Sequence, residues 1–226
     1  MSIVFIISAP SGSGKSTLVN RVRKCVPGLE FSISYTTRKP RGHEQNGREY
    51  FFVSREEFER MIQRDEFLEY AMVFDNDYYG TARRFLEQAE RDGNDLLLDI
   101  DVQGAAQIKK KIPDAVSIFI LPPNRMELEK RLRARSQDSE PVIQRRLKAA
   151  GREIENYHNY AYIVVNDRLE DSVKTLAAIL QSERQRRRGC ADSAQEAVAE
   201  KSKLARVRDR LQPILQSFAE TAVSGK

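Results

Sequence analysis

The chain has 226 residues, 40% hydrophobic and 31% charged, a balance that excludes a disordered chain or a membrane protein and fits one main globular domain with an appendage. The formal charge of +5 invites a polyanion partner, yet residues 183–226 hold ten lysines and arginines against six acids, leaving the rest almost neutral. Two cysteines and two histidines (Cys25, Cys190, His43 and His158) have no ligand spacing, so a disulfide scaffold and a structural metal are excluded and a reduced, cytoplasmic protein is expected.

Ile3-Val4-Phe5-Ile6-Ile7 is apolar throughout, the pattern of a strand covered on both faces in a parallel sheet. It is too short for a signal peptide or a membrane span. The next helix places Leu18, Val22, Cys25 and Val26 on one face and stops at Pro27-Gly28, which predicts that Cys25 is a core thiol. Further strands are expected at 50–53, 67–74, 96–100, 116–121 and 162–165. A helix opens at Ser54, where Ser54 and Glu57 form a capping box and Val53 and Phe58 a hydrophobic staple. Leu169, Val173, Leu176, Ala177 and Leu180 give the last body helix its apolar stripe. The alternation of strand and helix predicts an α/β fold, a doubly wound parallel sheet flanked by helices. Beyond residue 183 an arginine run, Arg184 to Arg188, leads into an arm in which Leu204, Val207, Leu211, Ile214 and Phe218 follow the spacing of a short coiled-coil seam, interrupted at Pro213. The arm is therefore expected to be a basic amphipathic helical extension, with self-association as one use for it.

Ala9-Pro10-Ser11-Gly12-Ser13-Gly14-Lys15-Ser16-Thr17 lies between the first strand and the first helix and reads as a P-loop, with Ala9 where the first glycine is usual. Small residues let backbone N–H groups close on phosphate oxygens at a helix N-terminus. Lys15 would then reach the β- and γ-phosphates and Ser16 would hold Mg²⁺. Ala9 is compatible with this if its φ is negative. The motif implies a nucleoside triphosphate and leaves a GTPase, an ATPase motor and a small-molecule kinase open.

The acceptor side decides among them. Arg38 and Arg41 flank Pro40 in an extended loop, where two guanidinium forks suit a phosphate. In order along the chain come Ser32–Arg41 with the pattern Ser-x-Ser-x-Thr-Thr-Arg-x-Pro-Arg, Asn46–Phe52 with Asn-Gly-x-x-Tyr-x-Phe, Glu69, Tyr78-Tyr79-Gly80-Thr81, Asp99-Ile100-Asp101 with Gln103-Gly104, Arg131-Leu-Arg-x-Arg135, and Val165-Asn166-Asp167. This series resembles the guanylate kinases, ATP:GMP phosphotransferases, over essentially residues 1–185.

The resemblance implies a P-loop NTPase core (1–33, 95–135 and 158–182), a GMP-binding subdomain (34–94) and a mobile lid (136–157). It implies that Arg38, Arg41, Tyr50 and Tyr79 hold the GMP phosphate, and that Ser34, Glu69, Thr81 and Asp99 surround the guanine. Asp99 would also meet Mg²⁺ through water, while Asp101 caps the following turn. Arg135 and Arg146 match the lid arginines, Arg131 less closely, and Asn166 a position beside adenine; Arg133 and Arg145 belong to a solvated face. The implied reaction takes ATP and GMP, with dGMP beside it, to ADP and GDP. It needs Mg²⁺ and Lys15, Arg38, Arg135 and Arg146 as its charge-stabilising groups. No membrane and no specific nucleic acid are expected as partners. A kinase for AMP or a pyrimidine nucleotide, and a non-catalytic scaffold that binds phosphopeptides, are the alternatives; the complete P-loop argues against the second.

Overall fold

The computed structural model describes residues 2–73, 77–135, 139–190 and 193–219. The chain opens with β1 (Val4–Ser8), α1 (Lys15–Cys25) and the short strands β2 (Leu29–Phe31), β3 (Tyr35–Thr36) and β4 (Phe51–Phe52). Then come α2 (Arg55–Gln63), β5 (Phe67–Val73), β6 (Asp77–Ala82), α3 (Arg84–Asp92), β7 (Asp95–Asp99) and α4 (Val102–Lys111). β8 (Val116–Leu121), α5 (Arg125–Arg135), α6 (Glu140–Ile154), β9 (Tyr162–Val165) and α7 (Leu169–Arg187) complete the body. The extension forms α8 (Ser193–Lys201), α9 (Leu204–Val207) and, after one 3₁₀ turn, α10 (Gln212–Ala219).

Contacts divide the chain into two compact units. The first comprises residues 1–6 and 28–116. It holds the strand order β2-β7-β1, parallel between β2 and β7 with Leu29 opposite Asp95, and a separate sheet ordered β4-β3-β6-β5. In that second sheet β6 runs antiparallel to both β3 and β5. Its core is the cluster Phe58, Met61 and Phe67, onto which Tyr35, Val53, Ile62 and Tyr78 pack. The Ser54 half of the expected capping box is in place, its Oγ accepting the Glu57 N–H at 3.1 Å while the Glu57 carboxylate pairs with Arg60 and Arg64, and Val53 meets the Phe58 cluster as the staple requires.

The second unit comprises residues 7–27 and 117–226. It holds the order β1-β8-β9, parallel between β8 and β9 with Ile118 opposite Tyr162. Every residue of β8 is buried, as a strand covered on both faces demands. α1 packs against α7.

Two expectations are corrected here. Cys25 is exposed, its thiol donating to the Arg21 carbonyl at 3.0 Å, because Leu18, Val19 and Val22 already fill the buried face of α1 and the chain leaves the helix at Val26. The apolar stripe of the arm also turns inward: Val207, Leu211 and Ile214 are buried within the chain's own second unit. Pro213 does not break α10; it lies in the first turn, where a missing N–H costs nothing. Phe74, the last residue of the strand expected at 67–74, lies outside the described residues, as do 136–138 of the expected lid.

Candidate active site

The phosphate side belongs to the second unit. Gly12 and Gly14 have φ of 92° and 86°, a left-handed region that side chains rarely adopt. Asp65 is the one non-glycine residue with positive φ among the described residues, so Ala9 meets the condition set for it. Gly14 caps α1, and Lys15, Ser16 and Thr17 form its first turn, with no acidic residue to compete for an anion.

Three side chains from distant elements converge on this loop. Asn166, which follows β9 and is buried, donates from Nδ2 to the Ser13 carbonyl at 2.7 Å. The same amide nitrogen is 2.5 Å from where a Cβ on Gly14 would stand, so only glycine fits there. Arg131 donates to the Asn166 carbonyl at 3.0 Å and leans on the Ser13 carbonyl at 3.5 Å. Arg146, on α6, donates to Ser11 Oγ at 2.8 Å. Arg146 is thus brought to the P-loop as expected, Arg131 stands closer than its sequence match suggested, and Asn166 is turned toward the loop's backbone. Arg135 closes α5, and its side chain lies outside what is described. Arg133 is exposed and paired with Glu129 and Glu140 at 2.6 Å each, a solvated face as expected. Ser13 Oγ is fully buried without a hydrogen-bond partner among the described residues, a polar group inside the loop that a bound phosphate could satisfy.

The residues expected on the acceptor side belong to the first unit. Arg38, 8% exposed, donates from Nε to the Tyr79 hydroxyl at 3.0 Å and stands 5.3 Å above the Tyr50 ring. Tyr50 and Tyr79 meet edge-on at 5.8 Å. The Arg38 fork is engaged by Glu44 through two hydrogen bonds of 2.9 and 3.0 Å, and Glu44 also accepts the Arg41 N–H at 2.8 Å. Burial opposes the charge on Arg38, but the bonds to Glu44 and Tyr79 outweigh it and hold its pKa above the ordinary arginine value. Glu44 was not singled out in the sequence. Its carboxylate occupies the arginine fork and a backbone N–H as a phosphate would. The Arg41 side chain is exposed. Ser34 contributes its carbonyl to the Phe51 N–H at 2.9 Å.

Glu69 is 3% exposed on β5, opposite Thr81 on β6. The register slips between Phe67 and Glu69, a bulge of the kind that re-aims a side chain beside a site. Burial raises the Glu69 pKa to about 7; hydrogen bonding from Thr81 works against the rise and Asp101 adds to it. Asp99 ends β7, and Asp101 caps α4, accepting the Gly104 N–H at 2.8 Å, which is the capping role expected of it.

α4 itself is the part that sequence reading missed. Three of its residues, spaced along one face, run beside β5. A Cβ at Gly104 would stand 2.4 Å from Glu69 Oε2. Gln107 donates to the Tyr70 carbonyl at 2.6 Å and accepts its N–H at 3.3 Å, as a neighbouring strand would. Lys111 Nζ donates to the Leu68 carbonyl, inside the bulge, at 2.6 Å. The spacing of Gly104, Gln107 and Lys111 was the available signal.

Comparison with known proteins identifies the family. The family model described as guanylate kinase matches residues 1–183. A guanylate kinase of Koribacter versatilis is 58% identical over 224 residues, covering 96% of each chain. That of Escherichia coli K12 is 50% identical over 185 residues, 81% of this chain and 89% of the relative. The crystal structure of guanylate kinase from Anaplasma phagocytophilum superposes with a TM-score of 0.66 at 30% identity, covering 94% of both chains. The family model covers residues 1–183 and the named relatives align over most of the chain, and this chain belongs to the guanylate kinase family.

Proposed function

We propose that this chain transfers the γ-phosphoryl group of ATP to GMP, and to dGMP, giving ADP and GDP in the cytoplasm. The observation that carries the choice of acceptor is Glu69, a carboxylate buried on β5. An ionised carboxylate only accepts hydrogen bonds, and guanine offers two adjacent donors, N1–H and the 2-amino group. Adenine presents a lone pair at N1, and the mismatch leaves a buried charge unpaired. Coupled measurement of ADP release with GMP, AMP and UMP tests the assignment; a preference for AMP overturns it.

In this reading residues 34–94 bind GMP, with Ser34, Thr81 and Asp99 around the base and Arg38, Arg41, Tyr50 and Tyr79 on its phosphate, which replaces Glu44 in the Arg38 fork. The P-loop, residues 9–17, holds ATP with Lys15 on the β- and γ-phosphates. Arg135, just before the 136–157 lid, and Arg146, within it, gather charge from the other side, and Asn166 steadies the loop near adenine. The nucleophile is a GMP phosphate oxygen, already ionised at neutral pH because its second pKa is near 6, so no general base is needed. Lys15, Arg38 and Arg146 lower the barrier by holding charge as it moves between the two nucleotides.

Ser16 fits a metal-bound nucleotide. Its hydroxyl is a hard oxygen donor in the first turn of α1, and the described residues hold no cluster of three acids, histidines or cysteines that would bind a metal on its own. Mg²⁺ keeps most of its water and takes few protein ligands beside substrate phosphates. When bound, it would neutralise phosphate charge.

Two outcomes follow from the Glu69 pocket. Its pKa of about 7 means the free enzyme loses the base-reading carboxylate on acidification. kcat/KM for GMP is expected to fall about tenfold between pH 8 and pH 6 beyond any change in kcat/KM for ATP. A pH profile in which both substrates move together contradicts this. Second, Gly104→Ala forces a methyl group against the Glu69 carboxylate. Overpacking of this kind costs about 1–3 kcal/mol, expected here as a higher KM for GMP with KM for ATP unchanged in steady-state kinetics.

A further inference from the structure

The family match ends at residue 183, whereas the extension is shared with the Koribacter relative, which aligns over 224 residues. The structure folds that extension back onto the helices carrying the P-loop arginines, all within the second unit. α10 packs on both α5 and α6. Ser217 Oγ accepts the N–H of Arg125, the first residue of α5, at 3.1 Å, and donates to the Ile214 carbonyl at 2.6 Å. It thereby satisfies one of the amides that a helix start leaves open. Phe218 covers the cluster Leu128, Leu132, Ile143, Leu147 and Ala150, which is the seam between α5 and α6.

The far side of that cluster is the P-loop. A Cβ on Gly12 would meet Leu132 at 2.8 Å and Leu128 at 3.0 Å, so the loop rests on the two leucines that Phe218 helps to fix. α5 also delivers Arg131 to Ser13, and α6 delivers Arg146 to Ser11. A continuous run of packed side chains therefore joins Phe218 to the phosphate loop.

We propose that the C-terminal extension is an intramolecular brace for the ATP side of the site, in which Ser217 and Phe218 act as positioning residues for α5, α6 and the Gly12 turn. This rests on the reading of the P-loop as the ATP site. The test uses the full-length chain with Phe218→Ala, Ser217→Ala and Phe218→Leu. Changes along such a network shift affinity by about two- to thirtyfold. An increase of that size is expected in KM for ATP with Phe218→Ala, a smaller one with Ser217→Ala, with KM for GMP unchanged and recovery in Phe218→Leu. Ser217→Ala removes a single oxygen atom, so it keeps the test open if Phe218→Ala folds poorly. Unchanged KM values, or equal increases for both substrates alongside a lower melting temperature, overturn the brace. Lys15→Ala serves as the separating control: a rate within threefold of the parent there rejects the P-loop reading, whereas a large fall in kcat there with unaffected Phe218 and Ser217 variants rejects the brace alone.

Discussion

Lys15→Ala is expected to reduce kcat by at least about a hundredfold to a thousandfold, the loss seen when one group that stabilises transition-state charge is removed. Lys15 is the first residue of α1, preceded by Gly14 in a left-handed conformation. That turn aims the side chain and the helix N-terminus at one place. An alanine keeps the turn and the helix, since alanine is the best helix former, and deletes the ammonium together with its stem. The expected signature in steady-state assays is therefore a large fall in kcat with KM for GMP little changed and no loss of melting temperature. An alanine variant within threefold of the parent rate would remove the P-loop from the mechanism.

Glu69→Gln is expected to pull stability and activity in opposite directions. The carboxylate titrates near 7 in the folded chain against an ordinary 4.5. Between those values the folded state holds a proton that the unfolded state has released, so burial of this group lowers stability as pH rises from about 4.5 to 7. A neutral amide removes that cost. At pH 8 the variant should gain up to about 3 kcal/mol, and at pH 4 nothing. Thermal melts at the two pH values read the difference directly. Activity moves the other way: the introduced amide sets a donor against guanine's donors, and a lost hydrogen bond to a charged group costs roughly 1.5–3 kcal/mol. kcat/KM for GMP should fall about tenfold to a hundredfold, by the tenfold-per-1.4-kcal/mol conversion. A variant as active as the parent would end the base-reading role.

The core strands were legible because a strand buried on both faces must be apolar throughout, as β1 and β8 are. β2, β3 and β6 were not expected. β3 has two residues, too few for a period, and β6 begins Asp77-Tyr78-Tyr79-Gly80, where an acid and a glycine mask the alternation. The P-loop was legible because its chemistry demands particular residues at fixed spacing. Glu44 and Gln107 were not, since their roles depend on what the fold sets beside them: an arginine fork for one, the backbone of Tyr70 for the other. Cys25 was misplaced because a helical face read from periodicity is wider than the part that is covered. The arginine run at 184–188 gives the extension much of its charge, yet Arg184 bonds the Pro27 carbonyl at 2.8 Å and Arg186 pairs with buried Glu183 at 2.6 Å. Those charges are engaged within the chain.

One junction in the extension bears on how the molecule is made. β9 ends its strand order, and its outer side pairs with the segment between α8 and α9: Ile163 N–H donates to the Ser202 carbonyl at 2.8 Å and Leu204 N–H to the Ala161 carbonyl at 3.0 Å. During synthesis β9 emerges about forty residues before its cover, by the numbering of these partners, so the nascent sheet carries an open rim that can recruit a foreign strand. A chain that stops near residue 183 keeps every residue of the family match and never closes that rim. Where the Ser202–Leu204 segment is in place, those backbone groups of β9 are paired within the chain and closed to a strand from another molecule.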